Sequence, residues 1–141
     1  MQQTNRSSAW SSIFVILAFL FAVCVAVQVF LAGTAIFVDP ARWRDHINFI
    51  HIFELLPILM LIVSFAGRLP AVLRWQSLGL FLLIIVMYAT ANMRAEVPLA
   101  GAFHPVNALL IFWLSVTVVE RARKLLYPQG EPGRTSEQLM Q

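Results

Sequence analysis

The sequence predicts an all-α membrane protein, an up-and-down bundle of four transmembrane helices. Of its 141 residues, 60% are hydrophobic and only 12% are charged, and the mean hydropathy is +0.77. Four apolar stretches reach or approach the roughly 20 residues that a helix needs to cross the hydrocarbon core. They cover about residues 12–38, 46–66, 71–92 and 103–126. Because the connections between them are short, residues 12–126 are expected to form one transmembrane domain.

The two ends of the chain are polar, and both are predicted to be disordered. Residues 1–11 and 127–141 contain too few apolar side chains to offset the entropy of ordering them. The first apolar stretch is much longer than the hydrophobic part of a signal peptide, and no clear A-x-A cleavage site follows it. We therefore expect it to be retained as the first helix.

The first helix carries small residues at four-residue spacing, at Ala18, Ala22 and Ala26. Such a stripe lets helix backbones approach closely in lipid, so this face could join copies of the chain or a larger membrane complex. The single cysteine, Cys24, is expected to be a packing residue. Asp39-Pro40 ends the helix, because proline lacks the N–H that the helix needs and restricts the residue before it.

Prolines and a short turn define the other three helices. Pro57 removes a hydrogen bond inside the second helix and should kink it. The turn at residues 67–70 is so short that the second and third helices must be antiparallel neighbours. Pro105 suits the first turn of the fourth helix, where its missing N–H costs nothing, and this places His104 at the N-cap.

The basic residues predict the orientation in a bacterial-type inner membrane. With a cytoplasmic N-terminus, seven of the ten lie inside, namely Arg6, Arg68, Arg74, Arg121, Arg123, Lys124 and Arg134. The other three, Arg42, Arg44 and Arg94, lie outside. This asymmetry follows the positive-inside rule and places both termini in the cytoplasm. Since the basic residues form no contiguous face, nucleic acid is not an expected partner, whereas the lipid bilayer is.

All three histidines, His46, His51 and His104, lie near the starts of two helices that enter from the same side of the membrane. Ionisable groups inside a membrane are costly and usually mark a site. Asn48, His51 and Glu54 recur every third residue and share one stripe of the second helix. His46 is five residues from His51, about 140° around the helix. We therefore expect His51 and Glu54 to face inward and His46 to lie at the membrane interface.

Each helix also contributes a polar side chain to the outer half of the bundle. These are Gln28, Asn48, Tyr88 and Asn107. The inner half, in contrast, is almost entirely Leu, Ile, Val, Phe and Ala. The sequence thus predicts a polar pocket in the outer half, with Glu54 paired to Gln28, Tyr88 or a histidine.

A b-type haem is one candidate ligand of this pocket, with a role in electron transfer. It needs two imidazoles opposed across the bundle and apolar walls. His51 and His104 are the preferred ligands, with His46 as the substitute. Arg42, Arg44 and Arg94 could pair with the haem propionates, because guanidinium groups match carboxylates well.

A divalent metal ion is the competing candidate. His51, Glu54 and His104 would form a two-histidine, one-carboxylate set of the kind that binds zinc or iron with open positions. Glu54 favours this interpretation, since a haem with two histidine ligands has no use for a buried acid.

Two further interpretations need no cofactor. The polar cluster could simply fix helix packing in a structural or accessory membrane subunit, or it could respond to protons, since histidine titrates near neutral pH. No Ser-His-Asp order, glycine-rich phosphate loop or CxxC motif is present. A hydrolase or a nucleotide enzyme is therefore not expected, and no catalytic residue is assigned.

Several short motifs resemble those of a bacterial family of small, uncharacterised four-helix membrane proteins. The motifs are QVFLAG in the first helix, a histidine entering the second, GR after it, and HPVNAL opening the fourth. The resemblance extends from about Gln28 to Leu109. It implies a four-helix membrane fold and no assigned activity.

Overall fold

The computed structural model describes residues 2–126, and every regular element in this range is helical. The α-helices are α1 (Gln2–Phe37), α2 (Trp43–Phe53), α3 (Leu56–Ala66), α4 (Ala71–Asn92) and α5 (Pro98–Leu126). Short 3-10 turns at Pro40–Arg42 and Met93–Ala95 join α1 to α2 and α4 to α5. With α2 and α3 taken together, four spans are long and apolar enough to cross a membrane. The predicted all-α, four-helix transmembrane fold is confirmed, and the chain is a multi-pass membrane protein.

Helix α1 begins at Gln2, well before the predicted start at residue 12. The structure thus continues α1 through residues 2–11, which the sequence predicted to be a tail. The physical reason is cooperativity, because each residue added to an existing helix forms a hydrogen bond without a new nucleation step. This segment contains no proline or glycine to stop it. The predicted C-terminal tail, residues 127–141, lies outside the described residues.

The second span is broken into α2 and α3 at Glu54 and Leu55. Pro57 lies in the first turn of α3 and cannot donate a hydrogen bond to the carbonyl of Phe53. The predicted kink at Pro57 thus takes the form of a two-residue interruption of the helix. Its consequence is that Glu54 is the C-cap residue of α2.

Helix α4 has the predicted bounds, but α5 starts at Pro98, five residues earlier than predicted. His104 is therefore not an N-cap residue but lies in the second turn of α5. Pro98 is itself a suitable first residue of a helix, which explains the earlier start. Pro105 lies inside α5 and cannot donate to the carbonyl of Gly101.

The helices form an antiparallel bundle around one apolar core. Helix α1 packs along α2, α3 and α5, and α4 packs along α3 and α5. The largest fully buried apolar side chains are Phe14, Phe21, Met60, Leu73, Leu80 and Val118. We call the end of the bundle that holds the three histidines the histidine end.

Two of the three alanines in the predicted stripe of α1 pack inside the bundle. Ala18 and Ala22 are buried in the bundle, and only Ala26 of the three is exposed. Small side chains here let the neighbouring helices of the same chain approach α1 closely. Ala26 is therefore the part of the predicted stripe that lies at the surface of the bundle.

Small polar residues also occur in the half of the bundle that the sequence predicted to be almost entirely apolar. Ser64, Ser77 and Ser115 are buried there. Their hydroxyls donate to carbonyls of their own helices, at Leu61, Leu73 and Phe112. Since each hydroxyl is satisfied within its helix, these serines act as small residues that allow close packing.

We predict that Gly67→Ala destabilises the protein. A Cβ atom at Gly67 would lie 2.5 Å from Cβ of Trp10 and 3.1 Å from its Cγ. Relieving such overlap should lower the free energy of unfolding by about 1–3 kcal/mol. Thermal unfolding in a single detergent measures the loss.

Gly33→Ala is the matched control, because a Cβ atom there has no heavy atom within 4 Å. Alanine is favoured over glycine in a helix by up to about 1 kcal/mol, so this variant should be as stable as the wild type or more stable. Equal stability of the two variants would contradict the close Trp10–Gly67 contact.

Candidate functional site

A large cavity lies at the histidine end of the bundle. Its volume is about 1010 Å³, at the upper limit of the roughly 300–1,000 Å³ typical of ligand pockets. Most of its lining is apolar and comes from α1, α2, α4 and α5. The polar side chains that line it include Gln28, His46, His51, Tyr88, Asn92 and His104. An apolar cavity with a few converging polar groups is the usual form of a ligand site.

His46 and Gln28 join α2 to α1 by two reciprocal hydrogen bonds. His46 Nδ1 donates to the Gln28 carbonyl at 3.0 Å, and Gln28 Nε2 donates to the His46 carbonyl at 2.9 Å. A carbonyl can only accept, so in the neutral ring the proton is on Nδ1 and Nε2 carries the lone pair. The second polar atom of the amide, Gln28 Oε1, is buried and has no hydrogen-bond partner.

The imidazole rings of His46 and His104 lie close together in the wall of the cavity. Their centroids are 6.5 Å apart, and the ring planes are inclined by 56°. His104 Nδ1 is 3.4 Å from Thr90 Oγ1, whose own proton can go to the carbonyl of Val86 or Met87. Both histidines therefore have a protein oxygen next to Nδ1.

His51 does not share this arrangement. Its side chain is 56% exposed, and Asn48 on the same stripe is exposed as well. The stripe of α2 that faces inward is instead His46, Phe49 and Phe53. The prediction that His46 lies at the interface is therefore wrong, and His51, which was predicted to face inward, borders the cavity with a largely exposed side chain. The reason is that the large apolar rings of this stripe determine how α2 packs.

Aromatic contacts hold the inward stripe of α2 in position. The Phe53 ring lies 5.8 Å from Phe21 of α1, in an edge-on arrangement, and 5.3 Å from Phe49. Trp43 meets His46 edge-on at 5.5 Å. Edge-to-face pairs of this kind add to the stability that comes from burial alone. The orientation of His46 is thus fixed by ring packing and by the Gln28 hydrogen bonds together.

A second polar group, the α2–α4 trio, consists of His51, Glu54 and Tyr88. Tyr88 Oη donates to Glu54 Oε2 and lies 3.2 Å from His51 Nδ1. His51 Nδ1 is 3.3 Å from Glu54 Oε1. The His51 and Tyr88 rings are nearly parallel, with an interplanar angle of 25° and centroids 6.2 Å apart. The predicted pairing of Glu54 with Tyr88 and a histidine is confirmed, and these side chains bridge α2 and α4.

The three predicted metal ligands do not come together as one set. His51 is close to Glu54, whereas His104 contacts Thr90 and His46. Within residues 2–126, no group of three or more His, Cys, Asp or Glu side chains is placed to hold a metal ion.

The remaining predicted site residues lie apart from the cavity wall or at its rim. Asn107 is buried and donates from Nδ2 to the Leu83 carbonyl at 2.9 Å, which ties α5 to α4. Arg42 and Arg44 are exposed at the histidine end. Arg94 lies in the turn between α4 and α5.

Thr90 is the site residue that sequence reasoning missed. It lies two residues after Tyr88 and less than one turn from the end of α4. A polar side chain at that depth was a usable signal, because the cavity is lined by the same end of α4. Its pairing with His104 could not be predicted, because the sequence does not show that α4 and α5 are neighbours at this depth.

Comparison with known proteins gives one match. Residues 28–94 of the chain are similar to a family of unknown function, DUF6220. This agrees with the resemblance to an uncharacterised family noted in the sequence. The matched range includes Gln28, His46, the whole α2–α4 trio and Thr90, whereas His104 lies beyond it. No curated protein and no solved structure matches the chain.

We predict that Tyr88→Phe weakens the link between α2 and α4. The change removes the hydroxyl that donates to Glu54 but keeps the ring. Interhelical hydrogen bonds in membranes contribute about 0.6 kcal/mol on average and up to about 1.7 kcal/mol, so a loss in this range is expected. Equilibrium unfolding in mixed micelles measures it.

A double-mutant cycle with Glu54→Gln tests whether the two residues act together. A coupling energy of about 0.5 kcal/mol or more is expected for direct contact. Thr117→Val is the control, because this exposed hydroxyl bonds the Trp113 carbonyl of its own helix. Additive effects of Tyr88→Phe and Glu54→Gln would count against the contact.

Proposed function

We propose that the protein binds a b-type haem in the cavity at the histidine end, with His46 and His104 as the axial ligands, and that it serves in electron transfer. The observation that carries this proposal is the spacing of the two imidazole rings. Two imidazoles on opposite sides of one metal, each bonded at about 2 Å, have ring centroids a little more than about 6 Å apart. The 6.5 Å separation of His46 and His104 fits this requirement.

The surroundings of both rings support the same assignment. A histidine that binds a metal through Nε2 usually donates its Nδ1–H to a protein oxygen, which fixes the tautomer and the ring orientation. His46 Nδ1 has the Gln28 carbonyl as its acceptor, and His104 Nδ1 has Thr90 Oγ1 beside it. In both histidines, an oxygen beside Nδ1 leaves Nε2 available to bind a metal.

The size and lining of the cavity suit a large apolar cofactor that has a few polar groups. Its walls include Phe21, Phe53 and Met87, and its volume is about 1010 Å³. The unpartnered Gln28 Oε1 could accept a hydrogen bond from a polar group of the ligand. Arg42 and Arg44 at the histidine end could pair with propionates, since guanidinium groups bind carboxylates well.

Haem is favoured over a simple divalent ion because of the number of protein ligands. Haem iron takes only two ligands from the protein, whereas zinc and non-haem iron sites need three or four. His46 and His104 supply two. Bound haem would supply a one-electron redox centre in the membrane, and the residues of this chain would hold and enclose it.

The haem proposal predicts which histidine substitutions abolish binding. Protein purified from haem-replete cells should show a Soret band, and reduction should shift it. His46→Ala and His104→Ala should each lose the band, whereas His51→Ala should keep it, because His51 is outside the ring pair. Absorption spectra of oxidised and reduced samples measure this.

Two results would overturn the assignment. If the wild type shows no Soret band even after addition of hemin, the cavity does not bind haem. If His51→Ala loses the band and His46→Ala keeps it, the ligands are His51 and His104 as first expected from the sequence. Size-exclusion profiles of each variant confirm that a lost band does not reflect unfolding.

We also propose that the chain lies in a bacterial-type inner membrane with both termini in the cytoplasm. Four spans place the start of the first span and the end of the fourth on the same side of the membrane, and seven of the ten basic residues then lie in the cytoplasm. Reporter domains active only in the cytoplasm should be active at either terminus and inactive in the loop between α1 and α2. The opposite pattern would reverse the orientation.

A further inference from the structure

The α2–α4 trio lies where the cavity meets the surface of the bundle. His51 and Tyr88 line the cavity, yet the His51 side chain is 56% exposed and that of Glu54 is 26% exposed. Glu54 is eleven residues beyond Trp43, about 16 Å along the helix at 1.5 Å per residue. At this depth, the outward-facing surface of a membrane protein faces lipid. The trio is therefore accessible both from the cavity and from the bilayer.

The trio retains hydrogen-bonding capacity beyond its internal contacts. An ionised carboxylate has about four acceptor positions, and only one contact to each oxygen of Glu54 is used within the trio. The Nε2 atom of His51 makes no hydrogen bond among the described residues, since both of its contacts involve Nδ1. Polar groups placed in lipid with unused capacity are a mark of function.

The shape of the trio favours a flat ring as the ligand. The His51 and Tyr88 rings are stacked within 25° of parallel, so each ring offers an aromatic face on the side away from the other. Flat rings stack on such surfaces in offset arrangements. Beside the trio, Leu55 and Ile85 are 64% and 49% exposed on the surface of the bundle and offer an apolar path for a hydrocarbon tail.

The charge of the trio selects among membrane-dissolved ligands. An anionic lipid headgroup would be repelled by the Glu54 carboxylate. A neutral ring hydroxyl can donate to that carboxylate, and a second ring oxygen can meet His51 Nε2. A charge-assisted hydrogen bond of this kind is roughly twice as strong as a neutral one.

We propose that the α2–α4 trio binds the ring of a membrane-dissolved quinol, with a ring hydroxyl donating to Glu54 and the tail lying along the lipid-facing surface of the bundle. Binding is reversible and forms no covalent bond. It uses His51, Glu54 and Tyr88, whereas the proposed haem ligands are His46 and His104. The two proposals therefore fail independently.

Equilibrium binding of radiolabelled decylubiquinol to the protein in phosphatidylcholine nanodiscs tests the site, with empty nanodiscs as the blank. The wild type should show saturable binding above the blank. Glu54→Gln should weaken binding by about tenfold or more, because it removes the charged acceptor of the ring hydroxyl. Tyr88→Leu should also weaken binding, because it removes one of the two aromatic rings of the trio. Thr117→Val, which removes an exposed hydroxyl of α5 outside the trio, should leave the affinity unchanged.

Two further arms identify the ligand class and separate this site from haem. Unlabelled decylubiquinol should displace the label, whereas decanol at the same concentration should not, because it has a hydroxyl but no ring. Protein purified with and without a Soret band should bind decylubiquinol equally well. Binding equal to the blank, equal displacement by decanol, or binding that survives both trio substitutions would overturn the proposal.

Discussion

The reciprocal hydrogen bonds between Gln28 and His46 are the interaction on which the histidine end of the bundle depends. In lipid, no water is available to satisfy a polar group that the protein leaves unpaired. Gln28 on α1 and His46 on α2 satisfy each other through backbone carbonyls, at 2.9 and 3.0 Å. This pairing fixes the rotation of α2 about its own axis. Every other side chain of α2 takes its position from that rotation.

The rotation of α2 separates the polar residues of the helix into two groups. His46 faces α1 and the cavity, where it lies near His104. His51, about 140° further round the helix, is directed toward α4 and joins Tyr88. The break before Pro57 then places Glu54 where its carboxylate can bond both. One helix thus contributes to two sites of different chemistry, an imidazole pair and a carboxylate-containing trio.

Haem and a membrane-dissolved quinol need different surroundings. The His46–His104 pair suits the first, and the α2–α4 trio suits the second. A haem requires two fixed imidazoles in an enclosed apolar cavity. A membrane-dissolved ring requires access from lipid and hydrogen-bonding capacity that is not used internally. All three histidines line the cavity, but the His51 side chain is 56% exposed, whereas His46 and His104 are half-buried. The difference in exposure is what assigns the two roles.

The sequence by itself determined the all-helical membrane fold, the bounds of α4 and the kink at Pro57. These follow from local physics, because a hydrophobic run of sufficient length must form a helix in lipid and proline cannot donate a backbone hydrogen bond. It also identified the three histidines, Gln28, Glu54 and Tyr88 as the residues of interest. It did not predict the extension of α1 to Gln2, since helix propagation through a polar segment leaves no apolar signal.

Only the tertiary structure decided which histidine pairs with which. The helical phase of His46 and His51 was known, but phase gives the angle between two side chains and not the face that turns inward. Two contacts determine which face of α2 turns inward. Phe49 and Phe53 pack beside His46, and Gln28 bonds His46 from α1. The rotation of a helix in a bundle is a property of its neighbours. It was therefore available only once α1, α2, α4 and α5 were in place.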